Sequence, residues 1–369
     1  MRIAISLLNF RPSCVGGVET YLRQLLAHAG AAKGADEVIV VEHRGNAGVL
    51  PAPGLQRAVL DMSDRAVVTA RILEAFSPWR CLAAERLFAD VAPDVAYFPQ
   101  QSIFPKRIAA PCVLQALDVQ HLVLPRYFSL FDRAFRACVY PRSLARAGRV
   151  IAISEFTRRM LIERAGIPAG KVVAIPFGVS PPASRGPTAP PEVQGPYLYF
   201  PAATFPHKGH ATLFRSFAAL RRRGGVGRKL VLTGQRTGHW RRLRRLIGQL
   251  GIAGDVIHMG FVTPEVVDSL YANAEAVVFP TEFEGFGLPV VEAIQRGKKI
   301  ICSRLDVFTE IGVPPEAQID FRDPGQLLAA LENSAPPALI RKPWTWAQAV
   351  EATLNVLRSM AAAPKPPQV

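Results

Sequence analysis

Residues 281–292 read T-E-F-E-G-F-G-L-P-V-V-E and set two carboxylates, Glu284 and Glu292, on either side of a glycine-containing turn. The run just before, A-V-V-F-P at 276–280, is apolar enough to fill a buried parallel strand. Residues 288–295 can continue as a helix with Pro289 in its first turn. Glu284 then falls at the carboxyl end of a strand, and Gly285 and Gly287 let the backbone approach a ligand with no Cβ in the way. The unpaired N–H groups of a helix's first turn attract an anion. A sugar diphosphate suits such a place, and Glu292, one turn further in, is positioned to accept hydrogen bonds from neighbouring hydroxyls. Spacing alone is equally satisfied by a surface loop whose glutamate favours a helix N-terminus by about 0.3–1 kcal/mol.

Two further places have the same character. Gly16 and Gly17 precede a helix after the first strand, where they either bring backbone N–H groups up to a phosphate or form an ordinary tight turn. Lys208, in F-P-H-K-G-H at 205–210, follows the first strand of the second half of the chain. Its ammonium can neutralise charge that builds on a departing diphosphate.

The elements that must position these groups alternate. Residues 2–9 read as a buried strand, followed by a loop and a helix whose Tyr21, Leu22, Leu25 and Leu26 face inward. Strands are predicted at 37–41, 95–98, 112–117, 150–153 and 172–175, and again at 197–200, 229–233, 256–259, 276–279 and 299–302. Helical stretches between most of them predict parallel, doubly wound sheets, an α/β fold. The proline-rich stretch 181–196 reads as a stiff linker. The expected division is an N-terminal domain at 1–180, that linker, a C-terminal domain at 197–342 and an amphipathic helix at 343–360, with a frayed tail at 361–369.

Composition narrows the classes. A chain of 369 residues, 49% of them hydrophobic, can bury two full cores and is not a disordered protein. No window supplies the roughly 18 uncharged apolar residues of a spanning helix, and M-R-I leads directly into a strand, so a cytoplasmic protein is expected. Five scattered cysteines without C-x-x-C spacing predict reduced, structural thiols and no zinc site. The net charge of +15 concentrates in arginine clusters around 133–149, 158–159, 221–223 and 241–245. These are read either as solvated helix faces or as a surface drawn to an anionic inner membrane, where each basic residue adds about 1 kcal/mol. Nucleic acid is not expected as a partner, because the clusters lack interleaved aromatics.

Five segments in register resemble the motifs of the retaining glycosyltransferases of family 4: G-G-V-E at 16–19, A-I-S-E-F-T at 152–157, I-P-F-G-V at 175–179, P-H-K-G-H at 206–210 and E-G-F-G-L-P-V-V-E-A at 284–293. The last is similar to that family's Glu-(seven residues)-Glu motif. The resemblance spans most of the chain and implies the GT-B architecture, two Rossmann-like domains facing an interdomain cleft that holds the active site. It implies transfer of a hexose, mannose being one candidate, from a GDP- or UDP-linked donor to a glycan or lipid-linked glycan of a bacterial surface polysaccharide. By the same resemblance, Gly16 and Gly17 close over the donor diphosphate and Lys208 meets the leaving group. Glu284, with the N–H groups of Gly285, Phe286, Gly287 and Leu288, grips the donor sugar and its phosphate, while Glu292 holds the ribose. Retention implies front-face attack, with the leaving phosphate taking the acceptor's proton.

The chain departs from the family at two points. Ala203 stands where many relatives carry an arginine, leaving His207, His210 or Arg236 to supply a second positive charge. Leu117-Asp118 stands where relatives often have His-Asp; Asp118 aligns with the motif's acid, and His121 serves either the acceptor or sugar, or packing. No D-x-D pair is present, so neither a metal nor another cofactor is expected. A GT-B sugar-nucleotide epimerase and a non-catalytic nucleotide-sugar-binding homologue are the alternative readings.

Overall fold

A computed structural model describes residues 1–12, 16–181, 193–222, 227–333 and 343–362. Cys14, Arg223, most of the expected linker and most of the expected tail lie outside the described residues. The chain divides into two compact units, Met1–Gly178 with Trp344–Val369, and Val179–Pro343.

The first unit is built on a seven-stranded parallel sheet ordered β3-β2-β1-β4-β5-β6-β7. Its strands are β1 (Arg2–Ser6), β2 (Glu37–His43), β3 (Gln56–Leu60), β4 (Val95–Phe98), β5 (Cys112–Ala116), β6 (Arg149–Ala152) and β7 (Val172–Ala174). Central strands are covered on both faces, so β1, β2, β4 and β5 read as near-continuous apolar runs. The edge strand β3 escaped the sequence reading for the opposite reason: Gln56, Arg57 and Val59 are exposed, and no apolar pattern marks it. Helix α1 (Gly17–Ala32) buries Tyr21, Leu22, Leu25 and Leu26.

The last helix, Trp346–Ala362, belongs to this first unit. Trp346 is buried beside Tyr21 and Phe177, with ring centroids 6.4 and 5.9 Å away, and those two rings stack at 4.7 Å. Gly178 makes the approach possible, since a Cβ there would stand 2.3 Å from the backbone nitrogen of Trp346. Further along, the Arg358 guanidinium donates to Asp36 at 2.8 Å and to the carbonyl of Ala32 at 3.0 Å.

The second unit carries a six-stranded parallel sheet ordered β10-β9-β8-β11-β12-β13. Its strands are β8 (Tyr197–Pro201), β9 (Lys229–Thr233), β10 (Val256–His258), β11 (Ala276–Phe279), β12 (Ile300–Ser303) and β13 (Gln318–Ile319). The two-residue β13 was too short for a periodicity reading. In both sheets the chain starts at a central strand and winds outward both ways, which puts topological switch points between β1 and β4 and between β8 and β11. Ligands of open parallel sheets bind at the carboxyl ends of the strands flanking such points. Among the described residues no helix is long and apolar enough to cross a membrane.

Trp346→Ala should cost about 3–5 kcal/mol of stability, as for other buried aromatic truncations. Chemical denaturation of the variant beside the wild type measures it.

Candidate functional site

The loops after β8 and β11 meet backbone to backbone. Gly209 has φ +77°, and a Cβ on it would lie 2.0 Å from the carbonyl oxygen of Pro280. Only glycine satisfies both the left-handed conformation and that approach. The carbonyl of His207 accepts from the Glu282 N–H at 2.8 Å and from the Thr281 hydroxyl at 3.3 Å. These contacts bring together two residues 76 positions apart: the Lys208 ammonium donates to Glu284 Oε1 at 2.5 Å. Both side chains are mostly sheltered, and the ammonium also lies 5.7 Å from the centroid of the Phe279 ring.

Beyond Glu284, the chain passes through Gly285 and Phe286, both buried, to Gly287, the N-cap of the helix Leu288–Gln295. Gly287 has φ +91°, and a Cβ there would come within 2.7 Å of the Phe308 ring. The glycine thus lets the helix start directly behind Glu284, with Pro289 in its first turn. The first-turn N–H groups of such a helix have no intrahelical acceptor and carry its positive dipole end.

Glu292 lies one turn into this helix but serves a different neighbour. Its Oε2 accepts from the Tyr271 hydroxyl at 2.8 Å, and burial raises its carboxyl pKa. Tyr271 packs edge-on against Tyr199 at 5.1 Å, while Arg296 lies 4.8 Å above its ring. Sequence reasoning missed Tyr271. It lies on the helix Pro264–Asn273, where it reads simply as one more inward-facing aromatic.

Of the three candidates for a second positive charge, two are buried histidines. Burial, joined by the nearby Lys208 charge, pushes His207 down to about 3. His210 is likewise pushed down to about 3, chiefly by burial, and sits against Phe200 at 4.5 Å and Phe214 at 6.3 Å. Both are neutral at pH 7, which favours a packing role over a second positive charge. Arg236 is the remaining candidate: it is exposed, donates to the carbonyl of His258 at 2.5 Å and lies 5.6 Å over Trp240.

In the first unit, Gly16 is exposed with φ 171°, extended backbone open to any residue, and Gly17 begins α1. Asp118 and His121 line a pocket of about 210 Å³ together with Gln101 and Tyr140. The Asp118 carboxylate accepts from the Gln120 N–H at 2.9 Å. Gln101, which the sequence reading did not single out, holds this turn: its Oε1 accepts from the Leu117 N–H at 2.6 Å, and its Nε2 donates to the Asp118 carbonyl at 2.5 Å. His121 stands edge-on to Tyr140 at 4.9 Å, and burial pushes it down to about 4. Its Nδ1 is buried with no hydrogen-bond partner among the described residues.

Residues 15–181 match the model of Glycosyltransferase Family 4, and residues 189–332 match that of Glycosyl transferases group 1. The chain belongs to the family 4, group 1 glycosyltransferases. Among relatives of this glycosyltransferase chain, the O-antigen chain mannosyltransferase B of Escherichia coli is 28% identical over 205 residues, 53% of each chain. The O-antigen chain mannosyltransferase RfbU of Salmonella typhimurium is 22% identical over 225 residues, 60% of this chain and 62% of that one. The alignment thus spans about half to three-fifths of these curated relatives. Among solved structures, Anabaena Alr3699/HepE, crystallised with UDP and glucose, superposes with a TM-score of 0.66 at 18% identity, covering 97% of this chain and 100% of that one. WaaG, a glycosyltransferase involved in lipopolysaccharide biosynthesis, gives 0.66 at 15% identity and 97% coverage of both chains. The fold is GT-B, as the resemblance implied.

Gly209→Ala should lower stability by more than about 2 kcal/mol, since it combines backbone strain with a clash against Pro280; its melting transition reports this. His210 gives a signed pH effect. A histidine held at about 3 against an ordinary 6.5 binds fewer protons folded than unfolded. Its contribution is complete above pH 6.5 and declines by about 1.4 kcal/mol per pH unit below it. Thermal melts from pH 7 to pH 5 should therefore slope less steeply in His210→Phe than in the wild type.

Proposed function

We propose that this chain is a retaining hexosyltransferase that moves a hexose, mannose in the first instance, from a GDP- or UDP-linked donor to a glycan or lipid-linked glycan of a bacterial surface polysaccharide. The observation that carries the reading is the Lys208–Glu284 pair, held at 2.5 Å just ahead of a helix N-terminus at a switch point of the second sheet. A cation, a carboxylate and first-turn N–H groups together match a sugar diphosphate, the cation and N–H groups for its charge and the carboxylate for its hydroxyls. The relatives named as O-antigen mannosyltransferases support the choice of sugar and pathway.

In this mechanism the donor diphosphate takes Lys208 from Glu284, and the freed carboxylate accepts hydrogen bonds from the sugar. The N–H groups from Gly285 to Leu288 receive phosphate oxygens. Glu292, oriented by Tyr271, accepts from the ribose hydroxyls. The acceptor oxygen attacks the anomeric carbon on the face the diphosphate leaves. The new C–O bond forms as the C–O bond to phosphate breaks, and the acceptor's proton passes to the departing phosphate oxygen. Lys208 and the helix end stabilise the charge that develops there, so rate depends on orientation and electrostatics rather than on a covalent nucleophile. Gly16 and Gly17 are assigned to the donor diphosphate, and Asp118 and His121 to the acceptor side, on the family resemblance. His121 would act as a neutral hydrogen-bonding group at pH 7. We further assign the enzyme to the cytoplasmic face of an anionic membrane, on the strength of its +15 charge.

Melting the protein against a panel of nucleotide-sugars and nucleoside diphosphates tests the donor site and identifies the base. One base at 100 times its dissociation constant should add about 2.7 kcal/mol of stability. Lys208→Ala should abolish that shift or cut turnover by roughly 10²–10³. Glu292→Ala should weaken nucleotide binding by tenfold or more, matching about 1.5–3 kcal/mol for a hydrogen bond to a charged group. No shift with any nucleotide would sink the reading.

A further inference from the structure

A concentration of positive charge without ion-pair partners lies in the first unit, between the helices Asp64–Phe76 and Leu130–Arg146. Arg71, Lys106, Arg142 and Arg146 line a cavity of about 70 Å³ there, and Glu74 is the one carboxylate among its lining residues. Among the described residues none of the four cations makes an ion pair. Arg71 reaches the Ser102 hydroxyl at 3.4 Å, Lys106 the carbonyl of Ser77 at 2.7 Å, Arg142 the carbonyl of Ala75 at 3.1 Å, and Arg146 the carbonyl of Ile108. Glu74 is itself engaged by the N–H groups of Cys81 and Lys106 at 2.8 and 2.9 Å. Four cations and one carboxylate leave three net positive charges held by neutral acceptors, an arrangement that an anion completes.

The size and the rim narrow the ligand. The cavity is small beside the roughly 300–1,000 Å³ of a pocket for a drug-sized ligand, so it suits one compact anionic group rather than a nucleotide. At its edge Phe135 continues into an aromatic cluster with Phe76 and Phe131, ring centroids 5.9–6.4 Å apart. This cluster is open to solvent: Phe76 is 47% exposed, Phe131 54% and Leu130 81%. Charge at the bottom and apolar surface at the mouth form the complement of an amphiphile with an anionic head. Ser102, which accepts from Arg71 and from Asn9, ties the pocket to the carboxyl ends of β1 and β4, the switch point of the first sheet.

We infer that this pocket binds the phosphate or diphosphate head of a lipid-linked acceptor, whose hydrocarbon chain lies across Leu130, Phe131 and Phe76. The inference rests on the transferase reading for its biological role but not for its chemistry.

Calorimetric titration of the full chain with pyrophosphate, farnesyl diphosphate and farnesol tests it, beside three variants whose melting transitions confirm folding. Farnesyl diphosphate should bind at least tenfold more tightly than pyrophosphate, and farnesol should not bind. Lys106→Gln with Arg142→Gln should weaken farnesyl diphosphate at least tenfold. Leu130→Ser with Phe131→Ser should also weaken farnesyl diphosphate, and Lys208→Ala, which alters only the donor site, should leave farnesyl diphosphate binding unchanged. Unchanged farnesyl diphosphate binding in the Lys106/Arg142 variant, its loss in Lys208→Ala, or farnesol binding as well as its diphosphate would each overturn the inference. So would binding to anionic phospholipid vesicles without binding to farnesyl diphosphate, which would make this face a membrane contact instead. Should the nucleotides fail to bind while farnesyl diphosphate still does, the transferase reading falls and the pocket stands.

Discussion

The second unit depends on a backbone contact with no room for a side chain, the approach of Gly209 to the carbonyl of Pro280. It joins the loops that leave two neighbouring parallel strands, β8 and β11, at the point where the sheet's winding reverses. The carbonyl of His207, accepting from Glu282 and Thr281, closes the same junction from the other side. With the two loops locked, Lys208 and Glu284 meet at a fixed separation, and the glycine at 287 starts the following helix directly behind them. A loose pair of surface loops would hold the same residues in many arrangements. Here the conformational entropy of placing them is spent in folding rather than on binding.

The electrostatics follow a related logic. The excess of positive charge is not a uniform field. Many arginines are tied into local ion pairs, Arg221 with Asp255, Arg228 with Glu275, Arg296 with Asp268 and Arg358 with Asp36. Such pairs contribute little individually when exposed, but they remove those cations from any role in recruiting a ligand. What remains is concentrated where carboxylates are few, in the Arg71 pocket and on the helix Trp240–Gln249. Lys208 is intermediate, carrying one partner that a stronger anion can displace. The buried histidines run the other way. His207 and His210 are kept neutral by desolvation, so the site has one fixed ammonium rather than a cluster of cations whose charge varies with pH.

Much of the fold was legible because parallel strands buried on both faces leave a run of apolar residues no other element leaves. The strands at 95–98, 229–233 and 276–279 and the helix at 288–295 fall where the pattern puts them. Others shift by one to three residues, β1 ending at Ser6 rather than at residue 9. The edge strand β3 left no trace, since one row of its side chains faces water and its pairing partner is supplied by β2. Lys208, Glu284, Gly287 and Glu292 were likewise visible as types at telling spacings. What they touch was not.

The amino-acid sequence by itself determined the class of fold, the family and the chemical types in the site, because burial periodicity and short glycine-rich motifs are local properties of the chain. Tertiary structure decided the pairings. That Glu284 answers to Lys208 and Glu292 to Tyr271, that Gln101 holds the Asp118 turn, and that four cations from three separate segments line one pocket all depend on contacts between residues up to 76 positions apart. It also decided protonation: the sequence shows two histidines beside a lysine, and their burial holds them neutral well below the pH at which an ordinary imidazole takes up a proton. Side-chain identity is written residue by residue, whereas distance and desolvation belong to the packed chain, which is why the chemistry could be listed before folding and its arrangement could not.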